Sequence, residues 1–386
     1  MADPTPRIHW TDADGQPQSA RWISLARHPA PTAVELADDR LDANAAYKLI
    51  EQGTGLLWQG DFHNARQLLQ ALGRRLERRL SRNAKPPATP AEAFAAQRTL
   101  QAQRAQLLGR LLLPVNADHR LPLRRAPDVR AAAAEAFGDV GEAYVISLRE
   151  LQGAIGAHEW RKKGVPVPAL RGAIHPHHGV FSPVRGEYVE LVARAPLPAA
   201  AKSAGAFDIG TGTGVLAAVL ARRGVKPIIA TDLDERALAC AADNVERLGV
   251  GDRITLQRAD LFPDGRAGLV VCNPPWVPSP PSSGLEAAVY DPDSRMLRGF
   301  LAGLAQHLVA GGEGWLILSD LAEHLGLRPR AQLLGWIADG GLAVADRIDT
   351  RPTHKRALDA ADPLHAARSA EVTSLWRLVP ATAVAR

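Results

Sequence analysis

The sequence contains few of the residues that mark several common classes of protein. Only two cysteines, Cys240 and Cys272, occur in 386 residues, and neither lies in a CxxC or similar pattern. A disulfide framework and a cysteine-ligated zinc site are therefore without support. No apolar run approaches the roughly 18 residues of a membrane span, and the first residues lack the basic-then-apolar pattern of a secretory signal. We accordingly expect a cytoplasmic protein without membrane contacts.

Aromatic residues are also scarce, at 5% of the chain, although hydrophobic residues make up 46% and charged residues 23%. This balance is typical of a folded protein with a sizeable core and excludes global disorder. At ordinary domain sizes the length corresponds to about two domains. A stretch rich in proline and glycine, 164–186, separates two kinds of sequence. We therefore predict one domain at 1–165 and a second at 166–386.

The first domain is predicted to be mainly α-helical, because apolar residues recur at helical spacing in most of it. The predicted helices cover 41–52, 61–80, 91–113, 129–138 and 142–164. Residues 71–130 also hold 13 Lys/Arg and four Asp/Glu, a local charge of +9, whereas the rest of the chain sums to −4. Such a stretch attracts phosphate groups. It is equally typical of the solvated face of arginine-rich helices.

The second domain alternates between short apolar strands and amphipathic helices. This order predicts an α/β fold with a Rossmann-like sheet of seven strands, mostly parallel and covered by helices on both faces. The last two strands lack a long connecting helix, so we expect an antiparallel hairpin at one edge of the sheet. The predicted strands are 206–209, 227–232, 253–257, 268–273, 314–320, 342–349 and 371–380.

A glycine-rich loop follows the first of these strands. Its sequence is DIGTGTG, from Asp208 to Gly214, and it opens a predicted helix. Glycines at Gly210, Gly212 and Gly214 allow sharp turns and close approach to a ligand, and the helix presents free N–H groups there. The G-x-G-x-G spacing differs from the G-x-G-x-x-G fingerprint of dinucleotide sites, which counts against NAD.

Polar side chains stand at the carboxyl ends of four predicted strands. They belong to Asp208, Asp232, Asp260 and Asn273. In an open parallel sheet, ligands bind along these ends. Asp232, at the end of the second strand, has the position from which a carboxylate accepts ribose hydroxyls. Asp234 is instead predicted to cap the following helix.

Four motifs together, DIGTGTG, ATDLDERAL, RADLF and NPPW, resemble those of the class I S-adenosylmethionine-dependent methyltransferases. Within that class the chain looks like the small-domain group with an [N/D]-P-P-[F/Y/W] motif. That group includes HemK/PrmC-type glutamine methyltransferases, ribosomal-RNA guanine-N2 methyltransferases and adenine-N6 methyltransferases. The resemblance covers roughly 175–380 and implies S-adenosylmethionine as the cofactor.

The resemblance also implies roles for individual residues. The glycine loop would hold the methionine part of the cofactor, Asp232 the ribose and Asp260 the adenine amine. A segment at 179–192 would cover the cofactor, with Phe181, Pro183 and Glu187 as contacts. The cofactor-binding residues expected in this way are Phe181, Asp208, Gly210, Thr211, Gly212, Gly214, Asp232, Leu233, Asp260, Leu261 and Asn273.

The NPPW motif, residues 273–276, is the candidate catalytic element. Methyl transfer is an in-line displacement, so positioning supplies much of the catalysis. The side-chain carbonyl of Asn273 and the backbone carbonyl of Pro274 can accept the two N–H bonds of an NH₂ group, and Trp276 offers a flat apolar face. The alternative is a Pro-Pro turn with Trp276 in the core. The neighbouring cofactor motifs favour the catalytic interpretation.

The methyl acceptor is open among several candidates. The basic stretch and the large first domain favour a base in RNA, while the HemK-like motif allows a protein glutamine. A third hypothesis, an inactive nucleic-acid-binding protein, conflicts with the intact cofactor motifs. The HPHH sequence at 175–178 lacks acid or cysteine partners at ligand spacing, so no metal site is expected. Asp291 and Asp293 are candidates for lining the acceptor pocket, and Asp293 is equally a candidate for capping a helix.

Overall fold

The computed structural model describes residues 6–83, 87–183, 186–281, 285–352, 359 and 362–381. The chain forms two compact units: Met1–Ala88 with Ala95–Glu159, and Thr89–Phe94 with Trp160–Arg386. The second unit thus begins a few residues before the predicted boundary at 165. It also takes a short segment from the first half of the chain, which the composition did not indicate.

The first unit contains a six-stranded mixed sheet with helices between its strands. The strands are β1 (Arg7–Thr11), β2 (Pro17–Ile23), β3 (Ala33–Ala37), β4 (Thr54–Trp58), β5 (Leu111–Val115) and β6 (Tyr144–Ser147). The helices in this half of the chain are α1 (Ala43–Gln52), α2 (Phe62–Asn83), α3 (Pro90–Leu108), α4 (Arg130–Phe137) and α5 (Leu148–Lys163); the first residues of α3 and the last residues of α5 belong to the second unit. The sheet order is β1-β2-β6-β5-β4-β3, with β3, β4 and β5 parallel.

The prediction of a mainly helical first domain was wrong because it missed this sheet. The predicted helix at 91–113 includes the first three residues of β5, and the predicted helix at 142–164 includes all four residues of β6. Both strands are short and nearly all their residues are buried. A short, continuously apolar run has no period that distinguishes a buried strand from a buried helix segment.

The second unit contains a small hairpin and a large sheet. The hairpin is formed by β7 (Val165–Val167) and β8 (Gly172–Ile174). The strands of the large sheet are β9 (Ala206–Ile209), β10 (Ile228–Asp232), β11 (Ile254–Arg258), β12 (Ala267–Cys272), β13 (Leu308–Ser319), β14 (Leu342–Thr350) and β15 (Thr373–Pro380). The helices are α6 (Glu187–Arg194), α7 (Ala199–Ala204), α8 (Val215–Arg222), α9 (Glu235–Arg247), α10 (Arg295–Leu304), α11 (Leu321–His324), α12 (Arg330–Asp339) and α13 (His365–Ala370).

The large sheet has the order β11-β10-β9-β12-β13-β15-β14. The first five strands are parallel, and β15 runs antiparallel between β13 and β14. The predicted α/β fold and its antiparallel edge are thus present. In the described part of the chain, no helix is long and apolar enough to cross a membrane.

Strand β12 shows why the centre of this sheet is apolar throughout. All six of its residues are buried. Leu269 and Val271 pack in the core cluster that contains α8, whereas Val270 and Cys272 pack in the cluster that contains α10. Successive side chains of a strand point to opposite faces, so a strand covered on both faces needs apolar residues at every position. This packing fixes the strand that carries Asn273 at its end.

Gly268, the second residue of β12, allows α7 to lie directly on the strand. A Cβ at this position would lie 1.9 Å from the carbonyl oxygen of Ala200. We expect Gly268→Ala to lower the free energy of unfolding by about 3 kcal/mol, because backbone cannot yield as a flexible side chain does. Gly335→Ala, in α12 with open space around it, is the control and should stabilise by about 0.5–1 kcal/mol. Denaturant unfolding of the two variants checks this, and equal midpoints would contradict it.

Candidate cofactor and acceptor site

The ends of three neighbouring strands bring the separate sequence motifs together. Ile209, the last residue of β9, lies opposite Thr231 of β10 and Cys272 of β12. The residues that follow these three are Gly210, Asp232 and Asn273. Because adjacent strands are about 4.8 Å apart, the glycine loop, the carboxylate and the amide lie side by side at one edge of the sheet.

The glycine loop has a backbone that only glycine adopts without strain. Gly210, Gly212 and Gly214 have φ angles of 69°, 56° and 79°, in the left-handed region that disfavours side chains. A Cβ at Gly210 would lie 2.5 Å from the Cε atom of Met296, whereas a Cβ at Gly212 would meet no atom within 4 Å. The loop is therefore packed at its start and open at its middle, as close approach of a ligand requires.

Asp208 supports this loop from beneath. Its side chain is 1% exposed and accepts hydrogen bonds from the Thr211 hydroxyl at 2.6 Å and the Ala217 N–H at 3.0 Å. Burial raises the pKa of Asp208 to about 6, and the two hydrogen bonds act in the opposite direction. The resemblance implied a cofactor-binding residue here. The geometry gives Asp208 a positioning role, since its carboxylate binds the loop and the start of α8.

The raised pKa of Asp208 predicts a pH dependence of stability. Between its ordinary value of 3.8 and about 6, the folded state binds more protons than the unfolded state, so stability falls as pH rises. Asp208→Asn removes this titration. We therefore expect the free energy of unfolding of the wild type, relative to Asp208→Asn, to fall by up to about 3 kcal/mol between pH 4 and pH 7. Urea unfolding of both proteins at several pH values measures it; a pH-independent difference would contradict the prediction.

The carboxylate of Asp232 faces the middle of the loop. Its Oδ2 atom accepts the N–H of Gly212 at 3.0 Å, and its Oδ1 atom accepts the N–H of Asp234 at 3.0 Å. Burial raises the pKa of Asp232, and these N–H groups oppose the shift. An ionised carboxylate has about four acceptor positions, so both oxygens retain capacity for ligand hydroxyls.

The two residues after Asp232 differ in role. Leu233 is 53% exposed, so its side chain is accessible beside the glycine loop. Asp234 accepts the N–H of Arg236 at 2.9 Å and is the N-cap of α9. The predicted capping role of Asp234 is confirmed.

The end of β11 contributes a further polar group. Asp260 accepts a hydrogen bond from the guanidinium of Arg295 at 2.5 Å, and its side chain is half exposed. The next residue, Leu261, has a φ of 76°, and its carbonyl accepts the Thr231 hydroxyl at 2.6 Å. This hydrogen bond holds a strained residue. An adenine amine at Asp260 would share the carboxylate with Arg295, a partner that the motifs did not reveal.

The segment before the large sheet lies along α9. Val180 packs against Ala237 and Cys240, and a Cβ at Gly179 would lie 3.5 Å from the guanidinium of Arg236. Phe181 follows directly and is half-buried. Helix α9 begins at Glu235, shortly after Asp232, so Val180 lies near this end of β10. The contact of Phe181 with the cofactor stays a prediction. Pro183 is buried, and Glu187 begins α6.

The NPPW motif has an internal hydrogen bond. The indole N–H of Trp276 donates to the Oδ1 atom of Asn273 at 2.9 Å. This bond orients the amide and leaves one lone pair of Oδ1 for a further donor. The Trp276 ring is half-buried and packs against three apolar clusters. Trp276 therefore acts on the geometry of Asn273, in addition to the stacking role that the sequence suggested.

The other reactive groups nearby have structural roles. Cys272 is buried, and burial raises the pKa of its thiol well above the usual value, so it is protonated and a poor nucleophile. His175 is within 2.6 Å of the Arg161 carbonyl, and His177 within 2.8 Å of the Asp243 carboxylate. Within the described residues, no group of three or more His, Cys, Asp or Glu could hold a metal ion.

Comparisons with known proteins agree with this geometry. Residues 198–274 match the family model described as "Ribosomal protein L11 methyltransferase (PrmA)". The chain is 37% identical over 150 residues to a release factor glutamine methyltransferase of Cereibacter sphaeroides. The matched region covers 37% of this chain and 50% of that protein. It is 31% identical over 214 residues to a release factor glutamine methyltransferase of Mycobacterium tuberculosis, covering 49% and 60%. It is 51% identical over 53 residues to ribosomal RNA large subunit methyltransferase K/L of Methylococcus capsulatus, covering 13% and 7%.

The chain thus spans about half the length of the first of these relatives. The matches confirm the resemblance to class I methyltransferases that the motifs indicated. The relatives described above are named as methyltransferases, in agreement with the enzyme class and the S-adenosylmethionine cofactor that the motifs predicted. The relatives' names include both protein and RNA substrates.

Proposed function

We propose that the protein is an S-adenosylmethionine-dependent N-methyltransferase that acts on a planar NH₂ group. The observation that carries this proposal is the register of three strands, which places Gly210, Asp232 and Asn273 side by side. The open backbone at Gly212, the carboxylate of Asp232 and the exposed Leu233 fit a ligand with an amino-acid part, a ribose and a base.

The residues of the acceptor site hold the nitrogen and add no charge to the reaction centre. When bound, S-adenosylmethionine would supply a methyl group from its sulfonium, with the C–S bond breaking as the N–C bond forms, the neutral thioether leaving and the proton of the nitrogen passing to water. Asn273 Oδ1, oriented by Trp276, accepts one N–H of the acceptor, and the Pro274 carbonyl accepts the other. Two such acceptors fix the direction of the nitrogen lone pair. The neutral amide of Asn273 does not act as a base.

For the acceptor we favour a glutamine side chain in a protein. Two relatives described above are release factor glutamine methyltransferases, and one matches over 214 residues. The electrostatic argument for RNA is weaker in the structure than in the sequence. Within the described residues, six of the 13 cations in 71–130 pair with carboxylates of the same unit. These pairs are Arg79–Glu51, Arg104–Glu77, Arg120–Asp118, Arg124–Asp39, Arg125–Asp61 and Arg130–Asp128.

Three of the partners, Glu51, Asp39 and Asp61, lie outside 71–130. Counting them with the stretch lowers its charge from +9 to +6. Arg75 and Arg79 also lie over the ring of Tyr47, at 5.2 and 5.6 Å from its centroid. Much of the stretch therefore has intramolecular partners, which favours the solvated-helix interpretation over a phosphate-binding surface.

The experiment that tests the acceptor is methyl labelling of a cell extract. The purified protein is incubated with the extract and S-adenosylmethionine carrying a tritiated methyl group, and the product is divided between nuclease and protease. Label that survives nuclease and is released by protease supports a protein acceptor, and N5-methylglutamine after hydrolysis identifies the residue. Label released by nuclease would reject the glutamine proposal in favour of RNA. Calorimetry showing binding of NAD but none of S-adenosylmethionine would overturn the cofactor assignment.

A further inference from the structure

Asp291 connects the segment after NPPW to the helix that packs on the glycine loop. Its N–H donates to the carbonyl of Val277 at 3.0 Å, and the N–H of Val277 donates to the carbonyl of Val289 at 3.2 Å. Val277 and Tyr290 form a parallel β-bridge. The backbone of Asp291 is thereby tied to the residue that follows Trp276.

The side chain of Asp291 makes the second half of the connection. It is 6% exposed, and its Oδ2 atom accepts the N–H groups of Met296 at 2.9 Å and Leu297 at 3.4 Å. Ser294, at the N-cap position of α10, makes no capping hydrogen bond with its own side chain. Asp291 replaces it because Asp293 and Ser294 have left-handed φ angles of 57° and 53°, which turn the chain back towards the helix. The sequence predicted Asp293 as a helix cap; in the structure the carboxylate that caps α10 is that of Asp291.

Helix α10 carries the connection to the cofactor residues. A Cβ at Gly210 would lie 2.5 Å from Met296, and a Cβ at Gly299 would lie 2.6 Å from Leu261. Arg295 binds Asp260 at 2.5 Å. The first turns of α10 therefore contact the ends of both β9 and β11, where the cofactor-binding residues are expected.

A buried arginine lies beside this connection. Arg328 is 1% exposed, and its Nη1 atom donates to the Ser294 hydroxyl at 3.4 Å. Its Nε and Nη2 atoms have no hydrogen-bond partner in the described part of the chain. Burial lowers the pKa of Arg328, whereas the carboxylates of Glu323 and Asp291 raise it. The buried guanidinium of Arg328 and the carboxylate of Asp291 carry opposite charges. Loss of the Asp291 charge would therefore leave the buried guanidinium less compensated.

We infer that Asp291 is a positioning residue that fixes the glycine loop relative to the acceptor loop through Met296. In-line transfer requires the methyl carbon and the acceptor nitrogen to be held close together, and a displacement of about 1 Å costs about 100-fold in rate. Asp291 binds Val277, which follows the NPPW motif, and Met296, which packs on the glycine loop. It need not contact the cofactor or the methyl acceptor itself. The kinetic part of this inference rests on the proposed function; the structural part does not.

The test compares hydrogen exchange of the backbone amides at 209–215 in four variants and the wild type. Asp291→Ala removes the cap, Asp291→Asn retains an oxygen acceptor, and Met296→Ala removes the contact with Gly210. Asp42→Ala is the matched control, because Asp42 also caps a helix through two N–H groups, but in the first unit. We expect exchange at 209–215 to be at least about 10-fold faster in Asp291→Ala and Met296→Ala. It should be unchanged in Asp42→Ala. In Asp291→Asn it should rise less than in Asp291→Ala, because the amide retains the oxygen acceptor but lacks the charge that acts on Arg328.

Faster exchange at 295–299 alone would show a lost cap without transmission to the loop and would overturn the inference. Exchange at 209–215 that is no faster in Met296→Ala than in the wild type would also overturn the inference. This second test remains valid if Asp291→Ala does not fold. In the kinetic arm, Asp291→Ala should transfer methyl groups about 10- to 100-fold more slowly at saturating cofactor, with Asp291→Asn between Asp291→Ala and the wild type. If the wild type transfers no methyl group, the proposed function fails, and the exchange data still decide the role of Asp291.

Discussion

Asn273→Ala is expected to lower the rate of methyl transfer by at least about 100-fold, the loss found when one oriented polar group is removed from a transition-state site. The variant removes the oxygen that accepts the acceptor N–H and the partner of the Trp276 indole. The affinity for S-adenosylmethionine should stay within about threefold of the wild type, a difference of less than 1 kcal/mol. Single-turnover transfer measures the first quantity and calorimetry the second.

Trp276→Phe separates the two roles of the motif. The phenylalanine ring retains an apolar face but lacks the N–H that orients Asn273. We expect a loss of about 10-fold, intermediate between the wild type and Asn273→Ala, since one hydrogen bond is worth about 1 kcal/mol. Full activity of Asn273→Ala would refute the mechanism. Full activity of Trp276→Phe would show that the hydrogen bond from Trp276 to Asn273 does not contribute to methyl transfer.

Asp232→Ala is expected to weaken binding of S-adenosylmethionine by about 100-fold. Two hydrogen bonds from ribose hydroxyls to a carboxylate account for this loss, because bonds to charged groups contribute about 1.5–3 kcal/mol each. The variant also removes the acceptor of the Gly212 N–H, so the loop itself loses a contact. Calorimetric titration with S-adenosylmethionine gives the dissociation constant directly.

Asp234→Ala is the matched control for this substitution. It removes a carboxylate two residues further on. That carboxylate accepts hydrogen bonds from the backbone N–H and the guanidinium of Arg236, at the start of α9. The loss of the N-cap should lower the free energy of unfolding by about 1 kcal/mol and leave the affinity for S-adenosylmethionine nearly unchanged. Equal losses of affinity in both variants would assign Asp232 to the structure of the loop, and unchanged affinity in Asp232→Ala would refute the ribose assignment.

The order of elements in the second unit could be predicted because its signals are local. The strands β9, β10 and β12 are short, mostly apolar runs between helices of regular period. In the first unit the same reasoning failed at β5 and β6, which directly adjoin helices and share their apolar character. The insertion of β15 between β13 and β14 also lies beyond local signals, because strand neighbours are set by pairing between distant segments.

The candidate site divides in the same way. The sequence by itself determined the glycines of the loop and the N-cap at Asp234, since both depend on the backbone of a few consecutive residues. Only the tertiary structure decided that Asp208 turns inwards to bind Thr211 and Ala217, and that Asp291 caps α10. The tertiary structure also brought Arg295 into contact with Asp260, which lies 35 residues away in the sequence. A side chain's partner depends on which distant segment packs against it, and that is settled when the sheet and its helices assemble.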